Sequence, residues 1–189
     1  MECLHRPDAV EEIRRNVVEK AGEACRYEVI DSPVGPITLV ATTTALLHLT
    51  WGRPAEDIPG LQATQERNPI ITDTQSQLTE YFKGSRKAFD IPLAPRGTEF
   101  QKSVWRELLK IPYGQCITYG EQARRLGRPS SARAVGAANG QNPIGIIIPC
   151  HRVIGASGSL TGFAGGIETK SKLLTLEGAL PKDILFSNA

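Results

Sequence analysis

Apolar residues alternate with polar ones over part of the first half of the chain, whereas in the second half they recur at helical spacing. From Tyr27 to Trp51 the β-branched content is high, and Asp31-Ser32-Pro33-Val34-Gly35-Pro36 breaks the run as a turn. This predicts a hairpin with strands near 26–31 and 36–42, followed by a strand near 45–51. Val10, Ile13, Val17 and Val18 keep a helical rhythm among charges, predicting a surface helix over 9–21. Residues 53–69 are polar with prolines, the composition of a surface loop. Ile71 to Phe82 has loose helical spacing and meets Lys83-Gly84, a glycine C-cap. Phe89-Asp90-Ile91-Pro92-Leu93 is a short strand at most, and Ala94-Pro95-Arg96-Gly97 has linker composition.

The second half is better punctuated. Thr98 is placed to cap a helix whose Phe100, Val104, Trp105, Leu108 and Leu109 form one stripe, ended by Ile111-Pro112-Tyr113-Gly114. Two short helical patterns follow. One runs from Thr118 or Tyr119 to Leu126, where Gly127-Arg128-Pro129 breaks it; the other is capped by Ser130 and reaches Asn139 or Gly140. Two short helices around a tight Gly/Pro turn are the signature of a helix-turn-helix.

Arg133, Gly136, Ala137 and Gly140 share a face of the second helix, which is bare except for one long cation. Such a face either packs closely on a neighbour or enters a groove. A helix with its side chains is about 10–12 Å across, and the DNA minor groove about 6 Å wide. Only a stripped helix in an opened groove would fit.

Charge changes sign near the linker. Residues 1–95 carry 10 Lys+Arg against 14 Asp+Glu, and residues 96–189 carry 12 against 6, within a net charge of +2. A basic C-terminal half points to an anionic partner, nucleic acid first. Two domains are therefore expected, 1–94 (with 1–24 as an extra helix) and 95–189. No apolar run approaches the roughly 18 residues of a membrane span, so a soluble, cytoplasmic protein in a reducing compartment is expected.

The candidate chemistry lies in Ile146 to Val153, Ile-Ile-Ile-Pro-Cys-His-Arg-Val. An apolar run, read as a strand, ends at a proline that has no N–H to give, and a thiol and an imidazole follow at the turn. An unperturbed thiol, with a pKa of about 8.5, is only a few per cent thiolate at pH 7. An adjacent base removes a limit worth about 2 kcal/mol. The plain alternative is that Cys150 is a small buried hydrophobe. Cys3, Cys25, Cys116, His5 and His48 form no metal-ligand spacing with it and no disulfide framework, so no metal site is expected.

Together, Ser131-Ala132-Arg133-Ala134-Val135-Gly136-Ala137-Ala138, Asn142-Pro143 and Ile148-Pro149-Cys150-His151-Arg152-Val153 resemble the O6-alkylguanine-DNA alkyltransferases, the bacterial constitutive type in particular. The likeness covers about 98–178, including Ile111-Pro112-Tyr113-Gly114 and the ending Leu173-Leu174-Thr175-Leu176-Glu177-Gly178. It implies an α+β fold, with a small N-terminal α/β domain carrying a short hairpin or sheet. The C-terminal domain would be mostly helical, with a winged helix-turn-helix-like DNA-binding motif.

The resemblance also implies roles. Cys150 would accept the alkyl group from guanine O6, and His151 would deprotonate it through a water. Glu177 would orient the histidine and Asn142 brace the turn, while Tyr119 would donate to the guanine ring. Arg133 would fill the gap left by a flipped nucleotide, with Ser131, Ala132, Gly136, Ala137 and Gly140 at the DNA. Flipping is required because O6 inside a duplex cannot line up with a protein thiol. Ile148, Pro149, Ser157, Gly158, Ser159, Phe163, Ala164 and Gly165 would join Tyr119 in walling the base pocket. Phe163 stands where many members carry tyrosine, and Ala164 leaves the size limit of the pocket open.

The implied activity is irreversible, one alkyl group per molecule, on duplex DNA containing alkylated guanine, with O4-alkylthymine left open. No cofactor is implied. A monomer is expected, with cooperative binding along DNA left open. The rival readings are an alkylated-DNA-binding protein without transfer, which would lack the acceptor thiol, and a cysteine hydrolase using Cys150 and His151.

Overall fold

The computed structural model describes residues 25–52, 63–65 and 68–180. The helix expected over 9–21 lies outside these residues, as do Cys3 and His5. The strands β1 (Cys25–Ile30), β2 (Ile37–Ala41) and β3 (Leu46–Trp51) pair antiparallel in sequence order. The β1–β2 turn is closed by Ser32, whose Oγ donates to the Gly35 carbonyl at 2.6 Å and accepts from the Val34 N–H at 3.2 Å. Gly35 has φ +92°, the left-handed region that glycine enters without steric cost.

The stretch 53–69 departs from the expected loop at two described places. Ala63–Thr64 forms a strand, β4, parallel to β1, so the sheet order is β3-β2-β1-β4. The first helix, α1 (Pro69–Phe82), begins before Ile71, because Asn68 caps it and Pro69 suits the first turn. Asn68 Oδ1 accepts from the Ile71 N–H at 3.2 Å, and its Nδ2 donates to the Thr42 carbonyl at 2.9 Å. One side chain therefore starts the helix and ties it to the β2–β3 turn. Phe89–Leu93 gives only a bridge, Leu93 beside Leu46, in which the Leu46 N–H donates to the Pro92 carbonyl at 2.8 Å.

The C-terminal half comprises α2 (Glu99–Leu108), β5 (Ile117–Thr118), α3 (Tyr119–Arg125), α4 (Ala132–Gly140), β6 (Val153–Ile154) and α5 (Ile167–Leu176). Thr98 and Gln101 form a capping box at the start of α2. Thr118 Oγ1 caps α3, accepting from the Glu121 N–H at 3.1 Å. Ser130 does not cap the next helix: Pro129–Ser131 is a 3-10 turn, and α4 starts at Ala132 with no side-chain cap. Proline fixes the backbone for that tight turn and displaces the helix start.

α3 and α4 are locked by a buried amide pair, Asn139 Nδ2 donating to Gln122 Oε1 at 2.7 Å. Trp105 Nε1 donates to the Ala138 carbonyl at 2.9 Å, joining α2 to the same helix. β5 and β6 pair in parallel, forming the short wing beside the helix pair.

Residues 94–97 join the sheet and α1 to the remaining helices, and one apolar core continues through both parts. Ile37, Leu39 and Leu49 of the sheet share a cluster with Tyr81, Val104, Trp105, Leu108, Val135 and Leu173. Burying such side chains stabilises the fold by about 1.5–3 kcal/mol each.

Candidate active site

The Cys150 turn is hung on the edge of the sheet. The Leu49 N–H donates to the Pro143 carbonyl at 2.8 Å, and the Gly145 N–H returns to the Leu49 carbonyl at 3.0 Å. Glycine is required at 145 because a Cβ there would lie 2.5 Å from the Trp51 ring. Ile146 then takes φ +64°, a left-handed conformation that is costly for a β-branched residue. The run 146–148 is therefore not the expected strand. It turns, with the Ile148 N–H bonding to the Ile144 carbonyl at 3.0 Å, and delivers Cys150–Arg152 as a single 3-10 turn.

Asn142 holds this turn in place of a ladder. Its Oδ1 accepts from the Ile144 N–H at 3.1 Å, and its Nδ2 donates to the Ile148 carbonyl at 2.7 Å and to Cys150 Sγ at 3.2 Å. Cys150 is 4 % exposed. Burial pushes its pKa up, while the Asn142 donor and the Lys170 cation act in the other direction. The thiol is protonated at rest and needs a base.

His151 is wholly buried, and its Nε2 lies 2.9 Å from Glu177 Oε1. Glu177 follows α5 directly, at the helix C-cap. Burial alone would raise the carboxyl, but hydrogen bonds from His151 and Arg152, the charge of Arg152 and that of His151 once protonated in acid bring it down to about 2. An ionised carboxylate can only accept, so the imidazole proton sits on Nε2 and leaves Nδ1 as the basic atom. Nδ1 bonds to no other described protein atom. Burial lowers the His151 pKa, against the raising effect of Glu177, and keeps the ring neutral and ready to accept. The thiol's own hydrogen-bond partner is the Asn142 amide rather than the imidazole.

Four further residues complete the array without having been singled out by sequence. Arg152 forks onto Glu177, Nε to Oε2 at 2.8 Å and Nη2 to Oε1 at 2.9 Å, and its Nη1 reaches the Ile111 carbonyl at 2.6 Å. The Gly114 N–H donates to Glu177 Oε2 at 3.2 Å. Tyr81 of α1 donates to Glu177 Oε1 at 2.7 Å. Lys170 of α5 is buried and donates to the carbonyls of Val153 at 2.6 Å and Thr161 at 2.8 Å; burial lowers its pKa to about 8. Arg152 belongs to the octet Ile146 to Val153 and Gly114 to Ile111-Pro112-Tyr113-Gly114. Lys170 and Tyr81 carried no signal beyond their places in helical patterns.

The remaining expected residues divide. Ile148 and Pro149 are buried beside the thiol. Phe163 packs edge-on against Trp51, centroids 5.3 Å apart, and faces the His151 ring at 6.4 Å. Gly165 lies on the Trp51 ring, where a Cβ would come within 3.0 Å. Tyr119 donates its hydroxyl to the Thr161 carbonyl at 3.0 Å, which ties the start of α3 to the loop. Ser157 and Ser159 are exposed and bond to each other at 3.2 Å rather than to the thiol array, and Gly158 and Ala164 are also exposed.

On α4, Val135, Ala138 and Asn139 face inward, while Arg133, Ala137 and Gly140 are exposed and Ala132 and Gly136 half-buried, as is Ser131 just before the helix. A Cβ on Gly140 would meet nothing within 4 Å, whereas one on Gly136 would meet the Tyr119 ring at 3.6 Å, so the bare face is open at Gly140 and flanked by Tyr119 at Gly136. Among the described residues no three His, Cys, Asp or Glu side chains gather as a metal site, and no helix is long and apolar enough to cross a membrane.

A helix-turn-helix with its second helix exposed, beside a buried thiol, imidazole and carboxylate, defines the arrangement of a nucleic-acid-binding protein with a candidate reactive cysteine. The chain belongs to the 6-O-methylguanine DNA methyltransferase family: residues 99–179 match its DNA binding domain and 25–95 its ribonuclease-like domain. It is 48 % identical over 153 residues to the methylated-DNA–protein-cysteine methyltransferase of Methanosarcina acetivorans, covering 81 % of this chain and 98 % of that protein. The protein of the same name from Mycobacterium tuberculosis strain H37Rv is 48 % identical over 151 residues, covering 80 % and 91 %. The crystal structure of Mycobacterium tuberculosis OGT in complex with DNA superposes with a TM-score of 0.74 at 47 % identity, covering 86 % of this chain and 98 % of that one.

Proposed function

We propose that the protein repairs duplex DNA by direct reversal, moving the alkyl group of O6-alkylguanine irreversibly to Cys150. The observation that carries the reading is the pairing of two arms on one turn: Asn142 on the thiol at 3.2 Å, and Glu177 on the adjacent imidazole at 2.9 Å. His151 Nδ1 takes the thiol proton through a water. Sγ then attacks the alkyl carbon in line, an S–C bond forms as the C–O6 bond breaks, and guanine leaves with the electron pair and regains a proton. The thioether has no thiolate left to regenerate, so each molecule acts once. Glu177 orients the imidazole, and Asn142 stabilises charge growing on sulfur.

Tyr119 donates to the guanine as negative charge builds on it, exchanging the Thr161 carbonyl for the base. Arg133 fills the space of the flipped nucleotide, with Ser131, Ala132, Gly136, Ala137 and Gly140 lying along the groove. Ile148, Pro149, Ser157, Gly158, Ser159, Phe163, Ala164 and Gly165 wall the extruded base. DNA affinity comes mainly from phosphate neutralisation and falls with salt. The boundary between the DNA-transfer part and the N-terminal part is placed at 94/95, and the compartment is the cytoplasm, where a nucleophilic thiol stays reduced.

The test is stoichiometry with a duplex labelled on the O6-methyl group. Transfer of label should stop at one per protein molecule. Continued release of methanol, the methyl group passing to water, would favour a cysteine hydrolase, and tight binding without transfer a recognition protein.

A further inference from the structure

We propose that Tyr81, contributed by the N-terminal helix α1, is a positioning residue of the alkyl-transfer site, its hydroxyl holding the Glu177 carboxylate in place and limiting how far that carboxylate strengthens His151 as a base. The inference deepens the function proposed above and rests on it. Tyr81 is fully buried, and its ring is already accounted for by Phe82, Phe89 and Tyr113, each within 6.2 Å between centroids. Packing of this kind asks only for phenylalanine. The hydroxyl is the part it leaves unexplained, since burying a phenol is unfavourable unless the O–H is paired.

That O–H is paired with the oxygen on which the imidazole depends. Glu177 Oε1 lies 2.7 Å from Tyr81 Oη, 2.9 Å from His151 Nε2 and 2.9 Å from Arg152 Nη2. Oε2 takes Arg152 Nε at 2.8 Å and the Gly114 N–H at 3.2 Å. Five donors thus share a carboxylate with about four lone-pair sites. Each added donor draws negative charge away from the others, so the carboxylate gives His151 less support than it would alone. Burial first, then the Glu177 charge, pushes the Tyr81 phenol far up, so it remains a donor at every working pH.

The groups around His151 are Glu177 and Lys170 from α5, Arg152 and Cys150 from its own turn, and, facing Glu177, Tyr113 and Cys116 from the α2–β5 connection. Of the donors on Glu177 Oε1, Tyr81 is the one supplied by the sheet-bearing half. Among the described residues, Tyr81 is therefore the donor through which the N-terminal half reaches the carboxylate beside His151.

Tyr81→Phe keeps the ring and removes the hydroxyl. Its single-turnover methyl transfer from an O6-methylguanine duplex should slow about tenfold, the kinetic weight of one hydrogen bond to a charged group. The acidic limb of its rate–pH profile should move to higher pH, because the relieved carboxylate stabilises the imidazolium more. A merely structural role would lower the melting temperature and leave the profile unmoved; an unchanged rate and profile would overturn the proposal.

The native chain offers a second readout. Its Tyr81 hydroxyl proton should appear in proton NMR as a slowly exchanging resonance with a nuclear Overhauser contact to His151 Hε2, and its absence would overturn the proposal as well. If the native protein moves no methyl group, the function proposed above fails, while the NMR contact still decides the Tyr81–Glu177–His151 link.

Discussion

Arg152 and Glu177 meet as a buried fork, Nε to Oε2 at 2.8 Å and Nη2 to Oε1 at 2.9 Å, so the carboxylate that steadies His151 is itself held in its ionised form. Removing one partner of such a pair strands the other in the core. Arg152→Ala should cost about 3–5 kcal/mol of folding stability. Arg152→Lys should recover only part of this, because an ammonium cannot fork. Urea unfolding of the two variants checks the order.

The same carboxylate sets an acid limit. Glu177 is held at about 2 in the folded protein against an ordinary value of 4.5, so its folded form binds a proton less readily than its unfolded form. A depressed carboxyl contributes stability that is complete above the unfolded pKa and is lost as pH falls through the folded one. Stability should therefore decline from about pH 5 towards pH 2. Thermal unfolding across this range should show a shallower decline for Glu177→Gln, whose amide does not titrate. Parallel curves for the two proteins would contradict the assignment.

Asn142 serves two partners with one nitrogen, the Ile148 carbonyl and Cys150 Sγ. Asn142→Ala should raise the thiol pKa further and slow methyl transfer at neutral pH. Leaving buried groups unpaired should also cost about 1–3 kcal/mol of stability. The pH dependence of Cys150 modification by a small disulfide reagent reads the thiol directly. An unmoved thiol titration would show that the amide acts on the turn alone.

Ala137 is exposed on the bare face of α4, away from the core. Ala137→Glu should leave the melting temperature nearly unchanged and weaken duplex binding, by charge and bulk together. On the same face, Arg133→Ala should slow repair in duplex more than reaction with free O6-alkylated guanine, because only the duplex requires flipping. Equal losses on both substrates would show that Arg133 does not support extrusion.

Much of this site was legible in the sequence because its polar members lie close together in the chain. Asn142, Cys150 and His151 fall within ten residues, and Glu177 closes a recognisable ending. What was not legible arrives from far away or breaks a local rule. Tyr81 lies 96 positions from Glu177, within a helix whose pattern signals only burial. The run 146–148 reads as a strand by β-branched content, yet Asn142 and the close approach of Gly145 to Trp51 force a turn there. Pro129 displaced the start of α4 past Ser130 by favouring a 3-10 turn, a choice that helical periodicity does not encode. The pairing of Ala63–Thr64 with β1 joins residues 38 positions apart, Cys25 to Ala63 and Arg26 to Thr64, and an alanine and a threonine among polar neighbours give no strand signal.

The most direct test of the account is peptide mass mapping after incubation with a duplex carrying one O6-methylguanine. The account predicts one added methyl group, confined to the peptide containing Cys150 and absent from Cys150→Ser. A methyl group on Cys25 or Cys116 instead, or none on the protein while the lesion disappears, would contradict it.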